Sequence, residues 1–375
     1  MFKISQMVLQ MGPQHPMLHG LWSFAVKIDG EKIYGADVRL GYIHKGVEKI
    51  CETRNYDQVI PLMDRGVCYA SAITWGHVYT GAVERLFGIE DDVPERAQWI
   101  RTLLSEAQRI ASHGFWGAAF FADLGVWTGM MLGLRDREFF VDLLESTTGQ
   151  RLNYNYNRIG GVANDLPDNF EQMALEACDW MDDIAFSQWE RLFDKSDVFL
   201  LRTKNVGVMT PEYAMAHGVT GVNLRSTGVK FDIRKMDGYA AYPDVKFEIP
   251  VGSNGDVYDR YRIRLDEMKQ SVKIIRQCVD HLSTNKGNVM IPKAKMPRKP
   301  KNKDAFFRLE DPRGESAVYV VDDEANRSKG AYRVKIKSPA LVHMATFPDL
   351  VTGGKIADIV TILGSIDLCT GETDR

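Results

Sequence analysis

The sequence predicts an α+β protein, a helical bundle core with a small N-terminal β unit and a C-terminal β element. Three observations predict it. Two alternating stretches before Leu40 are split by an Asp-Gly turn, helical periodicity runs from about Asn55 to Met290, and alternation returns after Glu315. The divisions that follow are 1–54 for the β unit, 55–290 for the bundle, and 291–375 for a basic loop, the β element and a buried C-terminal helix.

Each element has its own signal. LWSFAVKI, Asp29-Gly30-Glu31 and KIYGADVRL read as a hairpin. Pro94 opens a helix whose residues Trp99, Leu103, Leu104, Ala107 and Ile110 share one face. REFFVDLLESTTG and NFEQMALEACDWMDDIAFSQWERLF are amphipathic helices separated by the turn-rich RIGGVANDLPD, and a long helix is expected over Asp256 to His281. ESAVYVVDDE and GAYRVKIKSP read as strands, and KIADIVTILGSIDL as a buried helix and turn. Ile110 to Leu134 is long enough to span a bilayer and lacks Lys and Arg. Asp123 stands in its middle, at a cost of about 2.5–3.5 kcal/mol on insertion scales, so a buried core helix is favoured over a membrane span.

Composition excludes several classes. With 47 basic and 50 acidic residues the net charge is -3, which gives no general attraction to nucleic acid. A hydrophobic share of 45% is that of a globular chain. Cys51, Cys68, Cys178, Cys278 and Cys369 form no C-x-x-C pair. That argues against a disulfide framework and against a zinc ribbon or iron–sulfur cluster held by this chain alone. The N-terminus has no apolar signal-peptide region, so a cytoplasmic location is expected. The segment IPKAKMPRKPKNKD carries Lys293, Lys295, Arg298, Lys299, Lys301 and Lys303 among three prolines. It reads as a solvated loop, with docking onto an acidic partner or anionic lipid as the alternatives.

Few residues stand out chemically. His15 and His19 lie in MGPQHPMLHG, where Pro13 and Pro16 argue for a loop rather than a helix sharing a metal. Asp123 is a carboxylate in an apolar stretch. It is either a structural partner for an arginine such as Arg109 or a buried acid that controls a proton. Asp64-Arg65 and Asp232, Arg234 and Asp237 read as internal ion pairs, and the remaining histidines as core or surface residues.

GPQHPMLHG, GYIHKGVEK, RIASH, RIGGVANDLP, STGVKFDIRK, DPRGE and ADIVTILGSID follow one another in the order and spacing of a known group. The chain resembles, from about Met11 to Arg375, the D (49-kDa) subunit of complex I, a relative of nickel–iron hydrogenase large subunits. The resemblance implies a hydrogenase-large-subunit-like fold with the C-terminus packed inside. It implies a peripheral subunit on the cytoplasmic side of the membrane, in a hetero-oligomer with a B-type iron–sulfur subunit, a C-type subunit and a membrane H-type subunit. The terminal [4Fe–4S] cluster would sit on the B-type neighbour, with no cofactor bound by this chain alone, and a quinone-like acceptor would bind at the interface. The acceptor-site loop would carry His19 with His15 beside it, and the family's buried acid falls on Asp123. A histidine backed by a carboxylate is suited to supply a proton to a quinone-like ring near neutral pH.

Departures from the family pattern bear on the acceptor. The family's quinone-binding tyrosine position falls on Cys68, with Tyr69 one place on, and a thiol is a weaker donor than a phenol. Arg65 and Asn153 carry over as the residues near the terminal cluster, Asn153 standing where many members have histidine. Lys45 replaces the usual arginine of an HRG motif. These departures favour a low-potential acceptor, methanophenazine or menaquinone, and the coenzyme F-420 dehydrogenase type over an NADH- or ferredoxin-fed type. The hydrogenase cysteine pairs would fall at Val67 and Ala70 and at Cys369 and Glu372, so no nickel–iron centre is expected.

Overall fold

A computed structural model describes residues 7–14, 20–323 and 330–375. His15 and His19 lie outside the described residues.

The N-terminal sheet is antiparallel, with Met7–Met11, Ser23–Asp29 and Lys32–Arg39 in chain order. The hairpin turns at Gly30 with φ 61°, the left-handed conformation glycine tolerates. Phe24, Val26 and Ile28 alternate inward, and Phe24 meets Phe347 at 4.8 Å between ring centres. The sheet is thereby seated on the Pro339–Val351 helix.

Four long helices form the centre: Ala72–Phe87, Glu95–Asp123, Trp127–Thr148 and Val257–Thr284. The last begins where the sequence places it, with Asp256 accepting the Asp259 N–H as an N-cap at 2.8 Å. The Glu95–Asp123 helix is buried almost all round rather than on one face, and its charged residues are paired inside the protein. Arg101 meets Glu84 at 2.6 Å. Glu106 receives Arg234 at 3.1 Å, the Tyr242 hydroxyl at 2.6 Å and the Ser271 hydroxyl at 2.6 Å. His113 lies 2.9 Å from Glu267, which also pairs with Arg225.

The apolar stretch from Ile110 to Leu134 is two helices. Gly125, at φ 80°, gives its N–H to the Ala122 carbonyl, and Val126 gives its N–H to the Phe121 carbonyl. This Schellman closure stops the first helix at Asp123 and turns the chain back on itself. The glycines inside the stretch are packing sites: a Cβ on Gly133 would stand 2.8 Å from the Gly114 carbonyl oxygen, and one on Gly117 2.5 Å from the Trp189 ring. No helix among the described residues is long and apolar enough to cross a membrane.

The C-terminal sheet has three antiparallel strands, Asp304–Asp311, Gly314–Asp322 and Ala331–Lys337. The first is not among the strands the sequence predicts, although Ala305, Phe307 and Leu309 alternate inward. Phe307 rides directly over Gly81 of the Ala72–Phe87 helix, where a Cβ would be 2.9 Å from its ring. The basic segment is mostly exposed, but Lys301 donates to the Gly88 carbonyl at 2.9 Å, at the end of that helix. The helix Asp358–Ser365 and the turn Thr370–Asp374 close the fold. The Asp374 carboxylate takes the N–H groups of Gly41 and Ile43, each at 2.9 Å, tying the C-terminal turn to the N-terminal region. Arg375 is half-buried and bonds to the Ile336 carbonyl.

Candidate functional site

A cavity of about 440 Å³ lies where both β units, the central helix and the C-terminal turn converge. Each contributes side chains. Trp22 comes from just before the Ser23–Asp29 strand and Lys45 from the loop after the N-terminal sheet. Arg65 and Tyr69 come from the segment before the Ala72–Phe87 helix, and Phe115, Trp116, Phe120 and Asp123 from the last turns of the central helix. Arg313 reaches in from the tight Asp311–Gly314 hairpin, and Asp367, Leu368 and Cys369 line the far wall. The lining is largely apolar and aromatic with a few convergent charges, the character of a site for a flat organic ligand.

Asp123 is 9% exposed and occupies the last residue of its helix. It is not the partner of Arg109. Fourteen residues of helix separate them by about 21 Å, and Arg109 pairs instead with Glu106 and the Glu310 carbonyl. Gly364 packs close to Asp123, with a Cβ there standing 3.4 Å from its Oδ2.

Of the neighbours Cys68 and Tyr69, the tyrosine faces the cavity. Tyr69 is 45% exposed, meets Phe115 edge-on at 6.3 Å, and also borders a smaller cavity beside Gln108 and Tyr154. Cys68 is buried behind the wall, 1% exposed. Burial, then the adjacent Cys369, pushes its thiol well above the ordinary range. Arg65 lines both the main cavity and a polar surface groove that Asn153 also lines. Asp64 is turned inward, taking the Asn155 N–H, and burial raises its carboxyl to about 6. It forms no ion pair with Arg65 among the described residues. Asp232 does pair with Arg234, at 2.6 Å, while Asp237 pairs with Arg308 at 2.7 Å.

The inner end of the cavity holds a cluster the sequence did not reveal. The Sγ atoms of Cys68 and Cys369 and a carboxylate oxygen of Glu372 all lie within 4.8 Å of one another. The thiol that meets Cys369 is Cys68; Val67 accepts from the Cys369 Sγ through its carbonyl at 3.8 Å, and Ala70 lines the wall. The cluster therefore has two thiols, of which only Cys369 stands at a position matched to the hydrogenase cysteine pairs. Gly371 makes the approach possible, because a Cβ there would stand 2.4 Å from the Val67 carbonyl oxygen. Arg313 is the hub of this end. Its guanidinium lies 3.2 Å from Asp367, 4.0 Å from Glu372 and 3.8 Å from the Cys68 Sγ. Burial disfavours its charge, but Asp367, Cys68 and Glu372 outweigh that and hold it protonated. Burial, then Cys68 and Asp311, raises the Glu372 carboxyl, so it retains a proton well above the ordinary carboxylate range. DPRGE carried the signal for Arg313, but nothing local joins Cys68 to Cys369.

The fold with this cavity is that of a subunit of a respiratory membrane complex. Over all of both chains it matches, with a TM-score of 0.92 and 34% identity, a chain of the structure of the membrane-bound sulfane sulfur reductase, an archaeal respiratory membrane complex. Residues 123–304 and 297–375 match the family described as respiratory-chain NADH dehydrogenase, 49 Kd subunit. The second D-type subunit of the NADH-quinone oxidoreductase of Symbiobacterium thermophilum is 43% identical over 384 residues, covering 100% of this chain and 99% of the relative. The D-type subunit of the same oxidoreductase from Carboxydothermus hydrogenoformans is 41% identical over 376 residues, covering all of both. The chain belongs to the 49-kDa, or D-type, subunit family of complex I-type oxidoreductases.

Proposed function

We propose that the cavity is the acceptor site of a multisubunit, complex I-type dehydrogenase. Electrons would arrive singly from a [4Fe–4S] cluster on a neighbouring B-type subunit and pass to a membrane-soluble, quinone-like carrier. The observation that carries this reading is the cavity itself: an aromatic slot of about 440 Å³ with a buried acid, Asp123, and a phenol, Tyr69, on its wall. Aromatic walls stack a flat ring, the phenol offers a hydrogen bond, and a carboxylate next to a histidine supplies a proton. Gly20, which follows His19 in the chain, lines the cavity. His19 is assigned as proton donor with Asp123 behind it, and His15 as its neighbour. Arg65 and Asn153 mark the face toward the cluster.

The finer identity of the acceptor follows the departures from the family pattern. Cys68 stands at the family's phenol position, and Asn153 brings no protonatable imidazole to the cluster side. Both favour a low-potential carrier, methanophenazine with reduced coenzyme F-420 as donor, or menaquinone in an NADH- or ferredoxin-fed complex. The protein would sit peripherally on the cytoplasmic side of the membrane, with C-type and membrane H-type partners. The test is His19→Ala in the assembled complex, comparing a phenazine or quinone analogue with a dye that takes electrons upstream. Acceptor reduction lost with dye reduction kept supports the reading; both kept removes His19 from it.

A second reading is that the acceptor is a sulfane-sulfur compound, the substrate class named for the similar archaeal complex. The thiol pair at the cavity's inner end favours it.

A further inference from the structure

We propose that Cys68 and Cys369 are a redox dithiol that cleaves sulfur–sulfur bonds in the cavity, Cys369 attacking and Cys68 resolving. The proposal rests on the sulfane-sulfur reading and adds the residues and the chemical step. Cys369 lines the cavity, whereas Cys68 lies behind it with its Sγ within 4.8 Å. A thiol residue on the cavity wall with a second, enclosed thiol at its back is the arrangement that thiol–disulfide exchange requires: an entering nucleophile and a partner that releases it. The other three free cysteines, Cys51, Cys178 and Cys278, are buried and line none of the cavities described.

The surroundings supply what exchange needs. Arg313, held by Asp367 at 3.2 Å, faces the cavity and also reaches the Cys68 Sγ, so its fixed positive charge offsets part of the cost that burial places on a Cys68 thiolate. Glu372 stands in the same cluster and carries a proton that it can pass to a departing sulfur and regain from a cysteine thiol. The apolar lining accepts an uncharged trisulfide.

For an organic trisulfide the sequence of bonds is as follows. The Cys369 thiolate attacks a terminal sulfur, breaking one S–S bond and expelling a perthiolate, and a mixed disulfide forms. The Cys68 thiolate then attacks the Cys369 sulfur and expels the organic thiolate, leaving a Cys68–Cys369 disulfide. The two protons of the original thiols end on the perthiol and the thiol. The trisulfide is reduced by two electrons and the cysteine pair is oxidised by two. Two single-electron transfers from the iron–sulfur cluster of the neighbouring subunit, with two protons, restore the dithiol.

The test uses the assembled complex with dimethyl trisulfide. Without an electron donor, the complex is treated with trisulfide, quenched in acid, alkylated and digested. The expected result is a linked Cys68–Cys369 peptide that disappears when donor is supplied. Cys68→Ser and Cys369→Ser should lose trisulfide reduction while retaining upstream dye reduction, and Cys178→Ala should behave as the parent. If the parent complex reduces trisulfide and both serine variants do so equally well, the dithiol is wrong while the sulfane-sulfur reading stands. If the parent reduces a quinone analogue but never trisulfide, that reading fails and the dithiol with it. A stoichiometric zinc ion that protects both thiols from trisulfide would also overturn the proposal.

Discussion

The guanidinium of Arg313 lies 3.2 Å from the carboxylate of Asp367, joining the turn of the C-terminal hairpin to the loop after the short Asp358–Ser365 helix at the floor of the cavity. Both groups are almost fully buried, and Arg313 also serves Glu372 and Cys68. Removing one member of such a buried set strands the others, at a cost of about 3–5 kcal/mol. Arg313→Ala should therefore lower the melting temperature of the assembled complex and abolish acceptor reduction. Arg313→Lys should recover only part of the stability, because one ammonium cannot reach three partners as a planar fork does. Equal melting of the parent and Arg313→Ala would show that the floor is held by other contacts.

Asp123→Asn keeps the shape of a side chain on the cavity wall and removes its charge. The expected outcome is slowed acceptor reduction with the complex still assembled on membranes. Loss of the complex from membranes would show that Asp123 holds the fold and does not serve the proton.

Glu106 is fully buried and accepts from Arg109, Arg234, Tyr242 and Ser271. Burial opposes its ionisation, but the Arg109 and Arg234 charges win and hold it ionised below the ordinary range. Glu106→Gln leaves two guanidinium groups without their common counter-charge. A loss of about 3–5 kcal/mol is expected in denaturation of the complex, with any surviving complex keeping its acceptor activity.

Asp64 gives a pH-dependent prediction. Burial raises its carboxyl to about 6 in the folded chain, against about 3.9 when unfolded. Between these values the folded state binds more protons than the unfolded one, so Asp64 makes stability fall as pH rises from about 4 to 6. Asp64→Asn retains an acceptor for the Asn155 N–H and should flatten this slope, raising the melting temperature at pH 7 relative to the parent. An unchanged slope would mean that Asp64 ionises normally in the folded chain.

Much of the architecture was legible because its signals are local. Asp256 as a cap, the Asp29-Gly30 turn and the alternation of Phe24, Val26 and Ile28 each act within a few residues. The stretch around Asp123 was ambiguous for the opposite reason. Its glycines are there for contacts with Trp189 and with the following helix, and periodicity does not report those partners. The strand Asp304–Asp311 was hidden because buried Glu310 and Asp311 follow its apolar positions. The family motifs pointed to Cys68, with Tyr69 one place on, and to Asp123, but the meeting of Cys68, Cys369, Glu372 and Arg313 is purely tertiary. It depends on a hairpin turn and on Gly371 pressing against the Val67 backbone.

The central claim is that electrons leave the protein at the cavity beneath Trp22 and Tyr69. The most direct measurement is a paired assay on Ala119→Trp, which puts an indole into the cavity from the central helix. Reduction of the quinone or phenazine analogue should collapse while the upstream dye is reduced at the parent rate. Acceptor reduction at the parent rate with the cavity filled would contradict it.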